Sequence, residues 1–300
     1  TIHFDQAQHR ALHARAQAEG ADGRLLHSRR GDVHLVTLAE KLLVPVLVKL
    51  TNLVPEGGIW LNTQRPEWND ANNALAGWGL SVVTVAHLRR YLAFLQEAAQ
   101  RAGDAPLALT EPVARLLSDL TAALRALKGA SARGFSPRTR YRAMVALGRA
   151  GERHREAVYD GRYEKRVEVP AAAVTDLTRA ALVVIDATLR ANRRADGLFH
   201  SYNVMHLKGE EAHLNYLSAM LEGQVAVLGA TLLPPDEAAG LLAALRRSDL
   251  YRADQHSYLL YPDRALPTFL ARNTLPAQAA RKAPLLAELA RAGDRSLIIR

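Results

Sequence analysis

The chain reads as a mainly α protein in which long amphipathic helices alternate with polar, aromatic connections. Three observations carry this reading. Apolar residues recur at helical spacing in several separate stretches. Strand signals are few. Between the helical stretches lie segments that mix tryptophan, tyrosine and histidine with amides and carboxylates. Helices of this kind, antiparallel in pairs, close into a toroid around a central cavity or stack as a solenoid. In a toroid the connections at one end converge on the cavity mouth. Residues 1–300 are expected to form one α-helical, barrel-like domain.

Taken in order, Ile2 to Glu19 is a polar, Ala-rich surface helix, and Gly20 to Gly31 is a turn-rich connection. Leu35 to Leu50 follows helical spacing through Leu38, Leu42, Leu43, Val46, Leu47 and Leu50. Pro45 inside it predicts a kink or a late start. Leu75 to Arg101 is expected to be helical, with Leu80, Val83, Ala86, Tyr91, Phe94 and Leu95 as its apolar stripe and Gly103 as its stop. Pro112 to Lys128 is the next helix, opened by Thr110. Ser136 and Pro137 begin another, since Ser at the N-cap and Pro at the first position form an entry signal. It runs to about Val158.

Asp160-Gly161 is a turn, and Tyr163 to Val169 alternates like a short strand or extended arm. The helical pattern returns over Ala171 to Arg194, with Leu177, Ala181, Val184, Ile185 and Leu189 on one face. Leu198 to Leu207 reads as an aromatic, polar loop. Glu210 to Leu228 and Pro234 to Arg247 read as helices, Tyr251 to Arg264 as another unusual loop, and Pro276 to Ala292 as a last helix.

Composition excludes some chemistry. The sequence has no cysteine, which rules out disulfides, thiolate catalysis and cysteine-ligated zinc. No apolar run approaches the ~20 residues a bilayer span needs, so no membrane partner is expected and a soluble, cytoplasmic placement is favoured. The net charge of +9 invites a nucleic-acid reading. The arginines are scattered among Ala, Leu and acids, and the densest stretch, Arg133 to Arg142, reads as a solvated loop and helix start, so no nucleic acid is expected. The N-terminus has no initiator Met and no signal-peptide pattern, and the chain ends abruptly on Ile299-Arg300. Both features suggest a piece of a longer protein. Histidines are dispersed and no metal-ligand spacing stands out, so no metal is expected. There is no Gly-x-Ser-x-Gly, no phosphate-cradling glycine loop and no dinucleotide fingerprint. Gly77-Trp78-Gly79 is read as part of a helix start.

The stretch Gly57 to Asn73 is a poor helix and a poor strand. It holds two tryptophans, four asparagines, a glutamine, an arginine and two acids. Amide and carboxylate side chains compete with helical hydrogen bonds, and binding groups concentrate on loops held by rigid scaffolds. Indole faces beside amides and carboxylates suit a polyhydroxylated ligand: Trp60 and Trp68 cover the C–H faces of sugar rings, while Gln64, Arg65, Asn69, Asn72 and Asn73 take hydroxyls. The structural alternative is that Asp70 or Asn73 merely caps the helix that follows. Glycosidic cleavage commonly uses two carboxylates, and Glu67, Asp70 and Asp254 are the candidates. Apolar walls raise a carboxyl pKa and allow it to donate a proton near neutral pH. If phosphate is the nucleophile, one acid suffices and cationic donors are needed. Arg252 and His256 are of that type, and His200, Tyr202 and Gln255 are further substrate-binding candidates.

Trp68-Asn69-Asp70, followed by Ala71-Asn72-Asn73, resembles the Asp-Trp-Asn-Asp-Gly-Met-Asn loop of cellobiose- and chitobiose-phosphorylase-like enzymes. More broadly it is similar to catalytic loops of (α/α)6-toroid glycosidases. The resemblance implies a six-hairpin-like (α/α) toroid, incomplete in this chain. It also implies inverting cleavage of a glycosidic bond in an oligo- or polysaccharide, with Asp70 as general acid. Glu67 stands where the family has Asp, Ala71 where it has Gly and Asn72 where it has Met. No cofactor is implied beyond inorganic phosphate as a possible co-substrate. The rivals are a non-catalytic helical binding domain for carbohydrate or a protein partner, and a basic helical scaffold for nucleic acid.

Overall fold

A computed structural model describes residues 4–61, 77–103, 105–263, 265–276, 278 and 282–294. The chain divides into two compact units, Thr1–Pro262 and Asp263–Arg300. In the first, α1 (Gln6–Glu19) is followed by a short 3-10 turn, then α2 (Leu38–Leu50), β1 (Leu53–Val54), β2 (Gly58–Trp60) and β3 (Gly79–Ser81). Next come α3 (Val82–Ala102), β4 (Pro106–Thr110), α4 (Glu111–Ala126), α5 (Lys128–Arg133), α6 (Pro137–Tyr159), β5 (Arg166–Pro170) and α7 (Ala171–Ala191). The unit continues with β6 (Tyr202–Lys208), β7 (Glu211–Tyr216), α8 (Leu221–Gly229), α9 (Pro235–Arg247), β8 (Tyr251–Arg252) and β9 (Ser257–Tyr258). The second unit contains α10 (Phe269–Arg272), capped by the Thr268 hydroxyl, and α11 (Pro284–Ala292). No helix of the described residues is long and apolar enough to cross a membrane.

The protein is thus mainly α, but it also contains an antiparallel five-stranded sheet of order β1-β2-β3-β6-β7. The helix α7 forms the centre of the helical layer. Its expected face, Leu177, Ala181, Val184, Ile185 and Leu189, is fully buried, and it packs on α3, α4 and α5. The helix α4 also packs on α6, and α6 reaches β1 and β7. The main helix pairings therefore join elements far apart in sequence. Burying a Leu or Ile side chain contributes about 1.5–3 kcal/mol, so one α7 face accounts for a large share of the cohesion.

The helix starts follow their capping chemistry. Ser136 caps α6 through its hydroxyl, which accepts from Thr139 N at 3.2 Å. Thr110 precedes α4, but its side chain does not cap it. Its hydroxyl instead donates to the buried Glu40 at 2.6 Å, and its backbone N–H donates to the same carboxylate at 2.7 Å. Pro45 lies inside α2 and does not delay its start.

The sheet departs from the sequence reading. The helix expected from Leu75 begins only at Val82, because Gly79–Ser81 pairs with both β2 and β6. Its buried stripe is Val82, Val85, Ala86, Leu88, Leu92, Leu95 and Ala99, while Phe94 points outward. The helix expected over Glu210 to Leu228 is strand β7 followed by α8, and the expected loop Leu198–Leu207 contains most of β6. The two strands form a hairpin in which Lys208 pairs with Glu211. Gly209, at φ +57°, supplies the left-handed turn. The strand suggested near Tyr163–Val169 is β5, and it pairs with β4, which the sequence reading did not identify.

Helical layer and sheet are joined at Glu56, between β1 and β2. Every polar group of this residue is engaged. Its N–H donates to Thr188 Oγ1 at 3.1 Å, and its carbonyl accepts from Asn192 Nδ2 at 2.9 Å. Its carboxylate accepts from Phe135 N at 2.9 Å and pairs with Arg140. Arg140, buried in α6, also donates to Pro55 O, Ala212 O and Phe135 O at 2.9–3.0 Å. These bonds hold Glu56 at φ +62°, a conformation rare for a residue with a side chain. Removing one member of a buried pair strands the other charge and costs about 3–5 kcal/mol. Glu56→Ala is expected to lower the unfolding free energy by that amount, read by circular dichroism as a lower urea midpoint at unchanged slope.

Candidate functional site

The first two unusual segments of the sequence become neighbours through the sheet. Trp60 on β2 pairs with Leu80 on β3, and Leu80 pairs with Asn203 on β6. The stretch 62–76 joins β2 to β3. Gln64, Arg65, Glu67, Trp68, Asn69, Asp70, Asn72 and Asn73 therefore lie outside the described residues.

The base of that connection is described. Trp60 and Trp78 stack with ring centroids 6.0 Å apart and planes 9° from parallel. Trp60 Nε1 donates to Gly77 O at 2.7 Å, which fixes the indole's orientation across the base of the connection. Trp78 is 44 % exposed. Trp60, Tyr141, Met144 and Leu214 surround a small apolar cluster of Val54, Leu80, Met205 and Ala212 on the same sheet face. The sequence reading missed Trp78 because the flanking glycines suggested a helix start. The available signal was a tryptophan at each end of one polar connection.

The second segment supplies a polar group at the start of β6. Tyr202 donates to Glu222 Oε2 at 2.6 Å. Burial, reinforced by the Glu222 carboxylate, pushes the phenol well above its ordinary range, so it remains a protonated donor. His200 stacks on Tyr216 at 4.7 Å and donates from Nδ1 to Leu217 O at 2.9 Å. Burial lowers its pKa from the ordinary 6.5, against the opposing effect of that hydrogen bond. Asn203 donates to Gly57 O at 2.7 Å and to Asn192 Oδ1 at 2.8 Å, which ties β6 to the β1–β2 turn and to the end of α7.

The third segment is the small hairpin β8–β9. Arg252 donates to Asp254 at 2.6 and 2.9 Å across the turn. That contact holds the Asp254 carboxyl below its ordinary range, and the group is fully exposed. The Arg252 contact therefore makes Asp254 unsuited to donate a proton near neutral pH. His256 sits at φ +49° with Nδ1 3.3 Å from Tyr251 OH, and Gln255 accepts from Ser257 at 3.4 Å. The chain beyond the hairpin reaches the second segment, because Leu221 N donates to Leu260 O at 3.0 Å, one residue before Glu222. Tyr202 and Glu222 thus meet one residue after Leu221, which bonds Leu260, while His200 packs on Tyr216, and Arg252, Asp254, Gln255 and His256 lie on one small hairpin. Among the described residues no group of three or more His, Asp or Glu could hold a metal.

His200 and His154, on α6, both have pKa values lowered chiefly by burial. Below the ordinary value of 6.5 the unfolded chain takes up protons that the folded chain refuses. Their stability contribution is complete above 6.5 and is lost as the pH falls through the two lowered values. The urea midpoint is expected to drop from about pH 7.5 to about pH 5. In a His154→Gln/His200→Gln double variant that drop should be smaller.

No protein-family model matches the chain, and a search of curated proteins finds no match.

Proposed function

We propose that the protein is a carbohydrate-active enzyme that cleaves a glycosidic bond with inversion, in the manner of the (α/α)-toroid phosphorylase-like enzymes whose motif it resembles. The observation that carries this reading is the stacked Trp60–Trp78 pair at the base of the connection bearing Trp68-Asn69-Asp70. An indole face offers a sugar ring a flat apolar surface, and its amide and carboxylate neighbours in sequence offer hydrogen bonds to hydroxyls.

In this reading Asp70 protonates the glycosidic oxygen and substrate stacks on the exposed face of Trp78. If water attacks, Glu67 or Asp254 removes its proton. If phosphate attacks, no base is required, and Arg252 and His256 hold the anion. The carboxylate separation distinguishes the routes, since an inverting hydrolase keeps about 6.5–9.5 Å between acid and base for the water. The helical layer serves as part of the toroid wall.

Asp70→Asn is the direct test, assayed by sugar release from a panel of oligosaccharides with and without inorganic phosphate. Loss of a general acid lowers kcat about 10²–10⁴-fold, and sugar binding measured by calorimetry should survive. Full activity in that variant would overturn the assignment. Trp78→Ala is expected to weaken sugar binding about three- to tenfold, the worth of one aromatic stacking contact. If sugar binds and no substrate turns over in the unaltered protein, the non-catalytic binding domain takes its place.

A further inference from the structure

A separate cleft of about 220 Å³ lies between the start of α4 and the end of α6. Arg115 and Asp119 come from α4, Arg153, His154 and Glu156 from α6, and Arg162 from the turn beyond it. Arg153 donates twice to Asp119, at 2.7 and 3.2 Å, which orients its guanidinium. Arg162 donates to Asp160 at 2.7 Å. Arg115 has no ion-pair partner among the described residues. His154 Nδ1 is buried without a hydrogen-bond partner. The first turn of α4 faces the same space through Pro112, and a helix start carries partial positive charge. Of the three guanidinium groups that line the cleft, Arg153 and Arg162 each already hold one carboxylate, Asp119 and Asp160, which leaves Arg115 as the guanidinium still open to an anion.

We propose that this cleft binds the phosphate group of a small, hydroxylated phosphate monoester such as a sugar phosphate. Guanidinium forks match phosphate oxygens in both shape and charge. Arg115 and Arg162 converge from two chain segments, and Arg153 is already held in place by Asp119. Glu156 disfavours a bare anion but accepts hydrogen bonds from hydroxyls, so the ester fits the lining better than inorganic phosphate does. The volume is below the roughly 300–1,000 Å³ typical of sites for larger ligands. His154 lies roughly 20 Å along the α6 axis from Tyr141, at about 1.5 Å per residue. The cleft is therefore distinct from the tryptophan pair, and the proposal does not depend on the glycosidic reading.

Isothermal titration of the full chain with inorganic phosphate and with glucose 6-phosphate tests it. The expected result is saturable binding of both, tighter for the ester. Arg115→Ala and Arg162→Ala, each truncating an exposed side chain, should each weaken binding about ten- to a hundredfold through loss of charge-assisted hydrogen bonds. The proposal is overturned by the absence of saturable binding up to about 10 mM, where affinity is already negligible. It is equally overturned by an ester that binds no tighter than phosphate or by wild-type affinity in both arginine variants.

Discussion

A guanidinium and a carboxylate, enclosed together where helix meets sheet, hold this fold in register. Arg140 belongs to α6, Glu56 to the turn between two very short strands, and the groups around them to α7, β7 and the segment before α6. Such a pair is a costly component, since two charges must leave water. Here the cost is offset because the donors and acceptors of the pair find hydrogen-bond partners in backbone and side chains. The geometry is specific as a result. Strands of two or three residues cannot define their own register, and the surrounding hydrogen bonds define it for them.

The same constraint positions the candidate site. With the β1–β2 turn fixed, β2 presents Trp60 on the face that carries Leu80 and Met205, and Trp78 returns beside it. Asn203 carries the constraint into β6, where Tyr202 and His200 begin the second polar cluster. Rigid packing lies on one side of the sheet, and the Trp60–Trp78 stack closes the ends of β2 and β3.

Several arginines have a structural role among the described residues. Arg89 bridges to Asp186, Arg125 to Asp176 and Arg153 to Asp119, each pair joining two different helices. Even the densest arginine stretch, Arg133 to Arg142, turns one member, Arg140, into the interior. The sequence reading of that stretch as wholly solvated fails at this position, because burial depends on partners more than seventy residues away.

Local chemistry alone determined the long helices and several of their ends. The α7 face was legible because its apolar period continues for several turns, and the α6 start because Ser136 and Pro137 signal it within two residues. The polar, tryptophan-flanked connection was also visible, as a composition no helix or strand would choose. Tertiary structure decided the sheet. The strands β1, β2 and β3 are too short to show a period, and β6 buries an asparagine, Asn203, on its inner face. Only the pairing of strands distant in the chain makes these segments extended. The arginine cleft was illegible for the same reason: its residues carry no common motif and meet only because α4 packs against α6.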